Sequence, residues 1–192
     1  LKERKYVIIN FLIIIQEYYE SETGDKVEAA LVRPAVSKKK RKQDKLHIIF
    51  PYKWENGVLT HYEDKDFQKQ FPYATAHLLQ YETKLGKRAV DKSAQWFEYG
   101  RSQAITKITQ EKLVMPSIIS SAVNVTEEDA DTIPCAGFFI TAKEEHTLAE
   151  AKKVLESAEF YDYLKLIGIF TTGKSRRLTV KDIANYTFDN WE

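Results

Sequence analysis

The segment Gly168–Ser175, with the sequence GIFTTGKS, matches the phosphate-binding pattern G-x-x-x-x-G-K-[ST]. In such a loop a buried strand precedes the first glycine and a helix follows the serine, so that the helix N-terminus and the loop amides converge on phosphate. Here helix formers with apolar side chains at helical spacing precede Gly168, and the chain after Ser175 is too short to build the sheet of a nucleotide-binding domain. The sequence therefore favours a flexible glycine loop that carries basic residues.

The sequence contains none of the other common catalytic patterns. Its four histidines are scattered without an H-E-x-x-H motif, it has a single cysteine, and it has no G-x-S-x-G nucleophile elbow. Cys135 lies in an apolar, strand-like segment, which predicts a buried structural thiol. Because one cysteine cannot form an internal disulfide, we also expect a reducing, cytoplasmic location. We predict no catalytic and no metal-binding residue in this chain.

The residues that do suggest a function combine basic, planar polar and aromatic groups. Arg101, Ser102 and Gln103 follow the aromatic stretch Trp96–Tyr99, next to Gly100. Arginine recognises guanine and glutamine recognises adenine through pairs of hydrogen bonds, and serine commonly contacts phosphate. We therefore predict that these three residues contact bases or phosphates, and that the aromatic residues before them support the loop from the core.

Basic residues are also concentrated in two other segments. Seven basic residues accompany one acid between Arg33 and Lys45, and a second basic cluster follows Gly173. Such clusters attract DNA phosphates whatever the base sequence. Within these segments the predicted backbone contacts are Lys38, Lys39, Lys40, Arg41, Lys42, Lys174, Arg176 and Arg177, and Lys53, which lies outside both segments, is a further candidate.

The composition is that of an ordinary soluble protein. The chain has 192 residues, a net charge of +1, 43% hydrophobic and 30% charged residues, so any attraction to nucleic acid must be local. The apolar run near the N-terminus is shorter than the roughly 20 residues needed to cross a bilayer, and we expect no membrane partner. Because the chain begins with Leu1 and its only methionine is Met115, we expect it to be a piece of a longer protein.

The hydrophobic periodicity predicts one α+β domain over residues 1–192. We expect a mixed or antiparallel sheet, flanking helices and long loops, which would face DNA if the chain binds it. Predicted strands cover 6–19, 46–52, 112–118 and 135–142, a hairpin turns at Asn56–Gly57, helices cover about 72–92 and 147–168, and an acidic loop covers 126–132.

An ordered set of short motifs runs from about Phe11 to Phe188. The most distinctive are IIFPYK, WFEYGRSQ and KLVMPS, accompanied by LVRP, FPYATAHLLQYETKLGKR, LESAEFYDYLKLIG and GKSRRLTVKDI. This order resembles the TaqI-like C-terminal specificity domain. That domain is the target recognition part of adenine-specific DNA methyltransferases in restriction-modification systems, including chains that fuse DNA cleavage and methylation.

The resemblance implies double-stranded DNA as the partner, together with a catalytic methyltransferase domain elsewhere in the same chain. That domain would bind S-adenosylmethionine and methylate a flipped adenine at an Asn/Asp-Pro-Pro-Tyr/Phe motif. This sequence contains no PP dipeptide and no G-x-G, so no catalytic or cofactor-binding residue is transferred to it and no cofactor is expected within it.

The expected function is sequence-specific binding of duplex DNA. By the resemblance, the loop around Lys174 faces DNA and meets backbone phosphate. Two alternatives remain at this point: a nucleotide-binding domain that uses Gly168–Ser175, and a protein-interaction module with an incidental lysine-rich loop.

Overall fold

The fold was examined in a computed structural model, which describes residues 8–10, 13–15, 18–21, 23–37, 46–100, 104–143 and 145–187. The chain divides into two compact units. Unit 1 holds the described residues of Leu1–Ala35, Arg41–Thr109 and Asp131–Ile133, and unit 2 holds those of Val36–Lys40, Gln110–Ala130 and Pro134–Glu192. Helices and several small sheets occur together, which confirms the predicted α+β class.

Short antiparallel strands make up most of the first half of unit 1. They are β1 (Ile8–Asn10), β2 (Ile13–Ile15), β3 (Tyr18–Glu20), β4 (Lys26–Glu28), β5 (Val32–Ser37), β6 (Leu46–Ile49), β7 (Tyr52–Glu55) and β8 (Val58–His61). β3 lies between β2 and β4 in one sheet, and β6 lies between β1 and β5 in another. A 3-10 turn, Ala29–Leu31, joins β4 to β5. The predicted strand at 46–52 ends before Pro51, which has no amide hydrogen for the strand ladder.

The predicted hairpin is confirmed by β7 and β8, which pair antiparallel. Asn56 and Gly57 form its turn with φ angles of 52° and 77°. These positive values are those of the two-residue turns that match the twist of a hairpin, and asparagine and glycine tolerate them best. The turn residues in the sequence therefore determine the register of this hairpin.

The helices of unit 1 are α1 (Asp64–Gln70), α2 (Pro72–Leu79), α3 (Glu82–Gly86) and α4 (Ile105–Ile108). Pro72 is the first helical residue of α2, as predicted, and the Glu28 carboxylate accepts hydrogen bonds from the next two backbone amides, at 2.8 Å each. The prediction of one helix to about Lys92 is wrong. The helix is interrupted at Gln80, whose side-chain amide donates to Asp25 at 2.9 Å.

The core of unit 1 lies between these helices and strands β4 to β6. Its buried residues include aromatic and aliphatic side chains from both kinds of element: Val27, Leu31, Val32, Ile49, Phe67, Phe71, Ala74, Leu78, Leu85 and Phe97. The rings of Phe67 and Phe97 stack with their centroids 3.9 Å apart. Phe97 therefore fixes the segment that leads to Gly100 against helix α1.

Unit 2 combines small antiparallel sheets with two amphipathic helices. Its elements are β9 (Lys112–Met115), β10 (Ile118–Ile119), β11 (Thr126–Glu128), β12 (Ile133–Ala136), which begins in unit 1, β13 (Phe138–Thr141), α5 (Leu148–Leu155), α6 (Ala158–Ile167), β14 (Ile169–Phe170), β15 (Arg176–Arg177) and α7 (Val180–Ala184). β9 lies between β11 and β13, and β15 lies between β10 and β14.

Two sequence predictions in unit 2 differ from the structure. The acidic segment at 126–132, predicted as a loop, contains β11, because β9 offers it a ladder of hydrogen bonds that outweighs its low strand propensity. The predicted strand at 135–142 is split into β12 and β13 at Gly137, where φ is 102°. The helices at 147–168 are confirmed as α5 and α6, and Thr147 and Glu150 form a capping box at the start of α5.

Candidate nucleic-acid interface

The segment Gly168–Ser175 forms a β-hairpin in unit 2. Helix α6 ends at Ile167, β14 follows at once, and Ser175 leads into β15. A phosphate-binding loop requires the reverse arrangement, with a strand before the first glycine and a helix that begins at the serine. The helix predicted before Gly168 is confirmed.

Three backbone amides of this hairpin donate hydrogen bonds within the chain. The amide of Gly168 donates to the Leu164 carbonyl at 2.9 Å, that of Thr171 to the Ser175 carbonyl at 3.1 Å, and that of Ser175 to the Thr172 carbonyl at 2.9 Å. These amides close a helix end and a turn, so they do not converge on an open position. The loop therefore lacks the amide cradle that holds the phosphates of a nucleotide.

The two glycines of the pattern have structural explanations. A Cβ on Gly168 would lie 2.7 Å from the Leu164 carbonyl oxygen and 3.0 Å from Cβ of Arg176, so only glycine lets the end of α6 approach β15 this closely. Gly173 has a φ of 57°, a positive value that a tight turn requires and that glycine adopts without strain. No atom lies within 4 Å of its Cβ position, so the backbone angle alone explains the glycine. Helix packing and turn geometry thus explain both positions.

The basic residues of this hairpin form no ion pair with an acidic side chain of the described residues. They are Lys174, Arg176 and Arg177. The guanidinium of Arg176 lies 4.6 Å from the centre of the exposed Phe170 ring and donates at 3.5 Å to the backbone carbonyls of Lys165 and Ser175. Sequence reasoning selected these three cations, and the structure brings them together on one hairpin.

Lys53, the predicted contact in unit 1, is placed differently. Its ammonium group lies 2.6 Å from the Glu55 carboxylate and 5.3 Å from the centre of the Tyr62 ring. The hydrogen bond to Glu55 and the charge of that carboxylate raise the pKa of Lys53, and the same contact lowers the pKa of Glu55. The neighbouring acid therefore offsets the positive charge that a phosphate would meet.

The remaining predicted contacts fall outside the described residues. They are Lys38, Lys39, Lys40, Arg41 and Lys42 in the lysine-rich segment, and Arg101, Ser102 and Gln103 after Gly100. Gly100 itself is described. A Cβ there would lie 2.6 Å from the Ala89 carbonyl oxygen, so this glycine permits a close approach within the chain.

The segment before Gly100 is fixed by polar contacts that the sequence did not reveal. The Glu98 side chain is completely buried, and it accepts hydrogen bonds from Nδ1 of His61 at 2.7 Å and from the amide of Gln95 at 3.2 Å. Arg88 donates to the backbone carbonyls of Trp96 and Glu98 at 2.8 and 2.9 Å. No periodicity marks Glu98 as buried, because it stands between two aromatic residues in an irregular segment.

The aromatic residues Trp96 and Tyr99 form hydrogen bonds within unit 1, whereas the loop that they are predicted to support, residues 101–103, lies outside the described residues. Nε1 of Trp96 donates to Asp64 at 2.6 Å, and the Tyr99 hydroxyl donates to the Ile49 carbonyl at 2.7 Å. The Tyr52 hydroxyl accepts from the Tyr99 amide at 3.0 Å, and its burial raises its pKa. These contacts connect the segment to β6, β7 and α1 of unit 1.

Cys135 and the potential metal-binding side chains show no sign of a reactive centre in the described part of the chain. Burial raises the pKa of the Cys135 thiol to about 12, so this thiol remains protonated near neutral pH, and the prediction of a buried cysteine is confirmed.

Among the described residues, no group of three or more metal-binding side chains occurs. None of the described helices is both long and apolar enough to cross a membrane.

Comparison with known proteins adds no family to these observations. No protein-family model and no curated protein sequence matches the chain.

Proposed function

We propose that this chain binds double-stranded DNA, as the target recognition domain of an adenine-specific DNA methyltransferase or of a fused restriction enzyme. The observation that carries the proposal is the β14–β15 hairpin, on which Lys174, Arg176 and Arg177 stand together without an acidic partner in the described part of the chain. Because each ammonium or guanidinium group that meets a phosphate releases a condensed counterion, such a cluster binds the DNA backbone favourably.

The order of sequence motifs supports the more specific part of the proposal. The motifs WFEYGRSQ and GKSRRLTVKDI contain the predicted base and phosphate contacts, and both resemble segments of the TaqI-like specificity domain. Methylation itself, and the S-adenosylmethionine that it requires, would belong to a catalytic domain of the parent chain. This part of the chain would contribute affinity and orientation on the DNA.

The geometry of Gly168–Ser175 argues against the nucleotide-binding alternative. A nucleotide would need free amides at a helix N-terminus, whereas this hairpin uses the amides of Thr171 and Ser175 in its own turn. ATP with magnesium is therefore expected to leave the melting temperature unchanged, which a thermal-shift experiment measures directly.

The test of DNA binding is a fluorescence-anisotropy titration of the chain with duplex DNA over a series of salt concentrations. We expect an affinity in the micromolar range or weaker that falls steeply with salt. Replacing Lys174, Arg176 and Arg177 with alanine should lower the magnitude of the slope of log K against log salt by about 2 to 3, because each lost phosphate contact contributes about 0.9.

Lys53→Ala is the matched control, because it also removes a basic residue from a hairpin. We expect its slope to equal that of the unaltered chain, since Glu55 already offsets this charge. The proposal fails if the unaltered chain does not bind duplex DNA at low salt. Equal losses for the triple variant and for Lys53→Ala would contradict the role assigned to the β14–β15 hairpin.

A further inference from the structure

The register of the small sheet in unit 2 places two arginines on opposite faces. Arg177 of β15 pairs with Ile118 of β10 on one side and with Ile169 of β14 on the other. Arg176 pairs in the same way with Ile119 and Phe170. Because directly paired residues of antiparallel strands project to the same face, each arginine lies in a row between two apolar side chains.

The two rows differ in exposure. The row of Arg176 runs from Ile119, which is 3% exposed and belongs to the core of unit 2, to Phe170, which is 60% exposed, so one end of this row is buried. Ile118 and Ile169 are 45% and 58% exposed. The row Ile118–Arg177–Ile169, called here the outer row, therefore lies on the solvent-facing side of the sheet. Its arginine forms no side-chain hydrogen bond or ion pair with the described residues.

We propose that the outer row enters the major groove of DNA and determines part of the base preference of this chain, with Arg177 as the base-contacting residue. The proposal rests on the DNA-binding function proposed above. The basic cluster alone predicts that Arg177 contacts a phosphate, whatever the base sequence. The present proposal instead gives Arg177 a contact with a base.

The chemistry of the outer row fits the major groove. A two-stranded β-ribbon such as the β14–β15 hairpin fits into this groove, where an arginine can donate two hydrogen bonds to O6 and N7 of guanine, and an apolar side chain can contact the methyl group of thymine. Exposed isoleucines lie on both sides of a guanidinium that has no partner among the described side chains, and together they provide these two kinds of contact side by side. Lys174 at the turn and Lys181 in α7 supply further positive charge for the phosphates on either side of the groove.

Arg176 provides a matched control, because it has the same charge and adjoins Arg177 in the same strand. Its guanidinium is held against the Phe170 ring and two backbone carbonyls, and it lies on the other face of the sheet. The conservative variants Arg177→Lys and Arg176→Lys both keep the positive charge but remove the planar pair of donors. Only the first should change base preference.

The experiment begins with duplexes selected by the unaltered chain from a library of randomised DNA. Affinity is then measured for a selected duplex in which 7-deazaguanine replaces guanine, which removes N7 from the major groove. At the guanine that Arg177 contacts, we expect about a tenfold loss for the unaltered chain and a smaller loss for Arg177→Lys, because the flexible ammonium group holds O6 and N7 less specifically than the planar guanidinium. Uracil in place of a neighbouring thymine, which removes the methyl group, should weaken binding by a smaller factor. Arg176→Lys should respond to both replacements like the unaltered chain.

The outcomes separate this inference from the proposed function. If the chain binds no duplex DNA, the proposed function fails and this inference fails with it. If it binds DNA but selects no sequence, or if Arg177→Lys keeps the full response to 7-deazaguanine, the inference is wrong and the DNA-binding function stands. Inosine in place of guanine removes the amino group in the minor groove. If this replacement lowers the affinity while 7-deazaguanine does not, the assignment to the major groove is wrong.

Discussion

The hairpins β7–β8 and β14–β15 both carry basic residues but use them differently. In β7–β8, Lys53 pairs with Glu55 two residues further along the same strand, at 2.6 Å. In β14–β15, Lys174, Arg176 and Arg177 have no acidic partner in the described part of the chain, and the next acid in the sequence is Asp182. Residues two apart in a strand share a face, so a single glutamate at that spacing can neutralise the positive charge that a lysine would otherwise present.

The same contrast extends to the surroundings of each hairpin. Near β7–β8, polar side chains bind each other: Glu98 accepts from His61, and Asp64 accepts from Trp96. Near the outer row, exposed apolar side chains flank an arginine that has no partner in the described part of the chain. A count of basic residues along the sequence does not distinguish these cases, whereas the position of the nearest acid does.

The largest expected effect concerns the approach of β14–β15 to its helix. Gly168→Ala should lower the free energy of unfolding by about 3 kcal/mol, because the new Cβ would lie 2.7 Å from the Leu164 carbonyl oxygen and 3.0 Å from Cβ of Arg176. Gly57→Ala, in the turn of β7–β8, meets no atom within 4 Å and should cost only about 1 kcal/mol through its positive φ. Urea unfolding of both variants measures the difference. Equal losses would mean that the close contact at Gly168 is not structurally important.

The next prediction concerns the buried carboxylate beside β7–β8. Glu98→Ala should destabilise the protein by about 2 kcal/mol, because the amide of Gln95 loses its acceptor and the side chain leaves a cavity. Glu98→Gln, which keeps an acceptor oxygen and the shape, should recover part of the loss. Glu55→Ala, which removes an exposed carboxylate from the same hairpin, should leave the urea midpoint unchanged. If Glu55→Ala were as damaging as Glu98→Ala, burial would not be the cause.

Sequence alone predicts those features whose causes are local. The turn at Asn56–Gly57, the start of α2 at Pro72 and the helices α5 and α6 follow from residues that are themselves in the element. The interruption of the helix after Leu79 was not predicted, because the helical spacing of apolar residues continues from Tyr73 to Leu85. Strand β11 was missed because β9, which supplies its hydrogen bonds, lies elsewhere in the sequence.

The candidate site shows the same limit. The concentration of basic residues after Gly173 is visible in the sequence, and the structure places three of them on one hairpin. The pairing of Lys53 with Glu55 depends on both residues lying in one strand, and the buried position of Glu98 depends on packing against β8. The alternation that separates Arg176 from Arg177 depends on the register of β15 between β10 and β14.

The third prediction concerns a glutamate introduced next to β15, at the same spacing from a basic residue as Glu55 has in β7–β8. Ser175 precedes Arg177 by two residues, the spacing that separates Lys53 from Glu55. Ser175→Glu keeps the backbone hydrogen bonds of the turn and should weaken duplex DNA binding about tenfold, because a carboxylate would compete with DNA for Arg177. Ser175→Gln, similar in size but neutral, should bind like the unaltered chain. Similar losses for both variants in the anisotropy titration would indicate a steric effect.

The smallest expected effect is a pH dependence of unit 1. Hydrogen bonds from Thr23, Gln80 and His77 lower the pKa of Asp25 below its usual 3.8. Because the folded-state value is the lower one, the stability that Asp25 contributes is present above its unfolded pKa and is lost as the pH falls through the folded pKa.

Asp25→Asn should therefore reduce stability at neutral pH by less than about 1 kcal/mol, since the carboxylate is partly exposed and solvent screens it. Its urea midpoint should also approach that of the unaltered chain as the pH falls below 3.8. A gap between Asp25→Asn and the unaltered chain that stays constant down to low pH would show that shape, rather than charge, makes Asp25 stabilising.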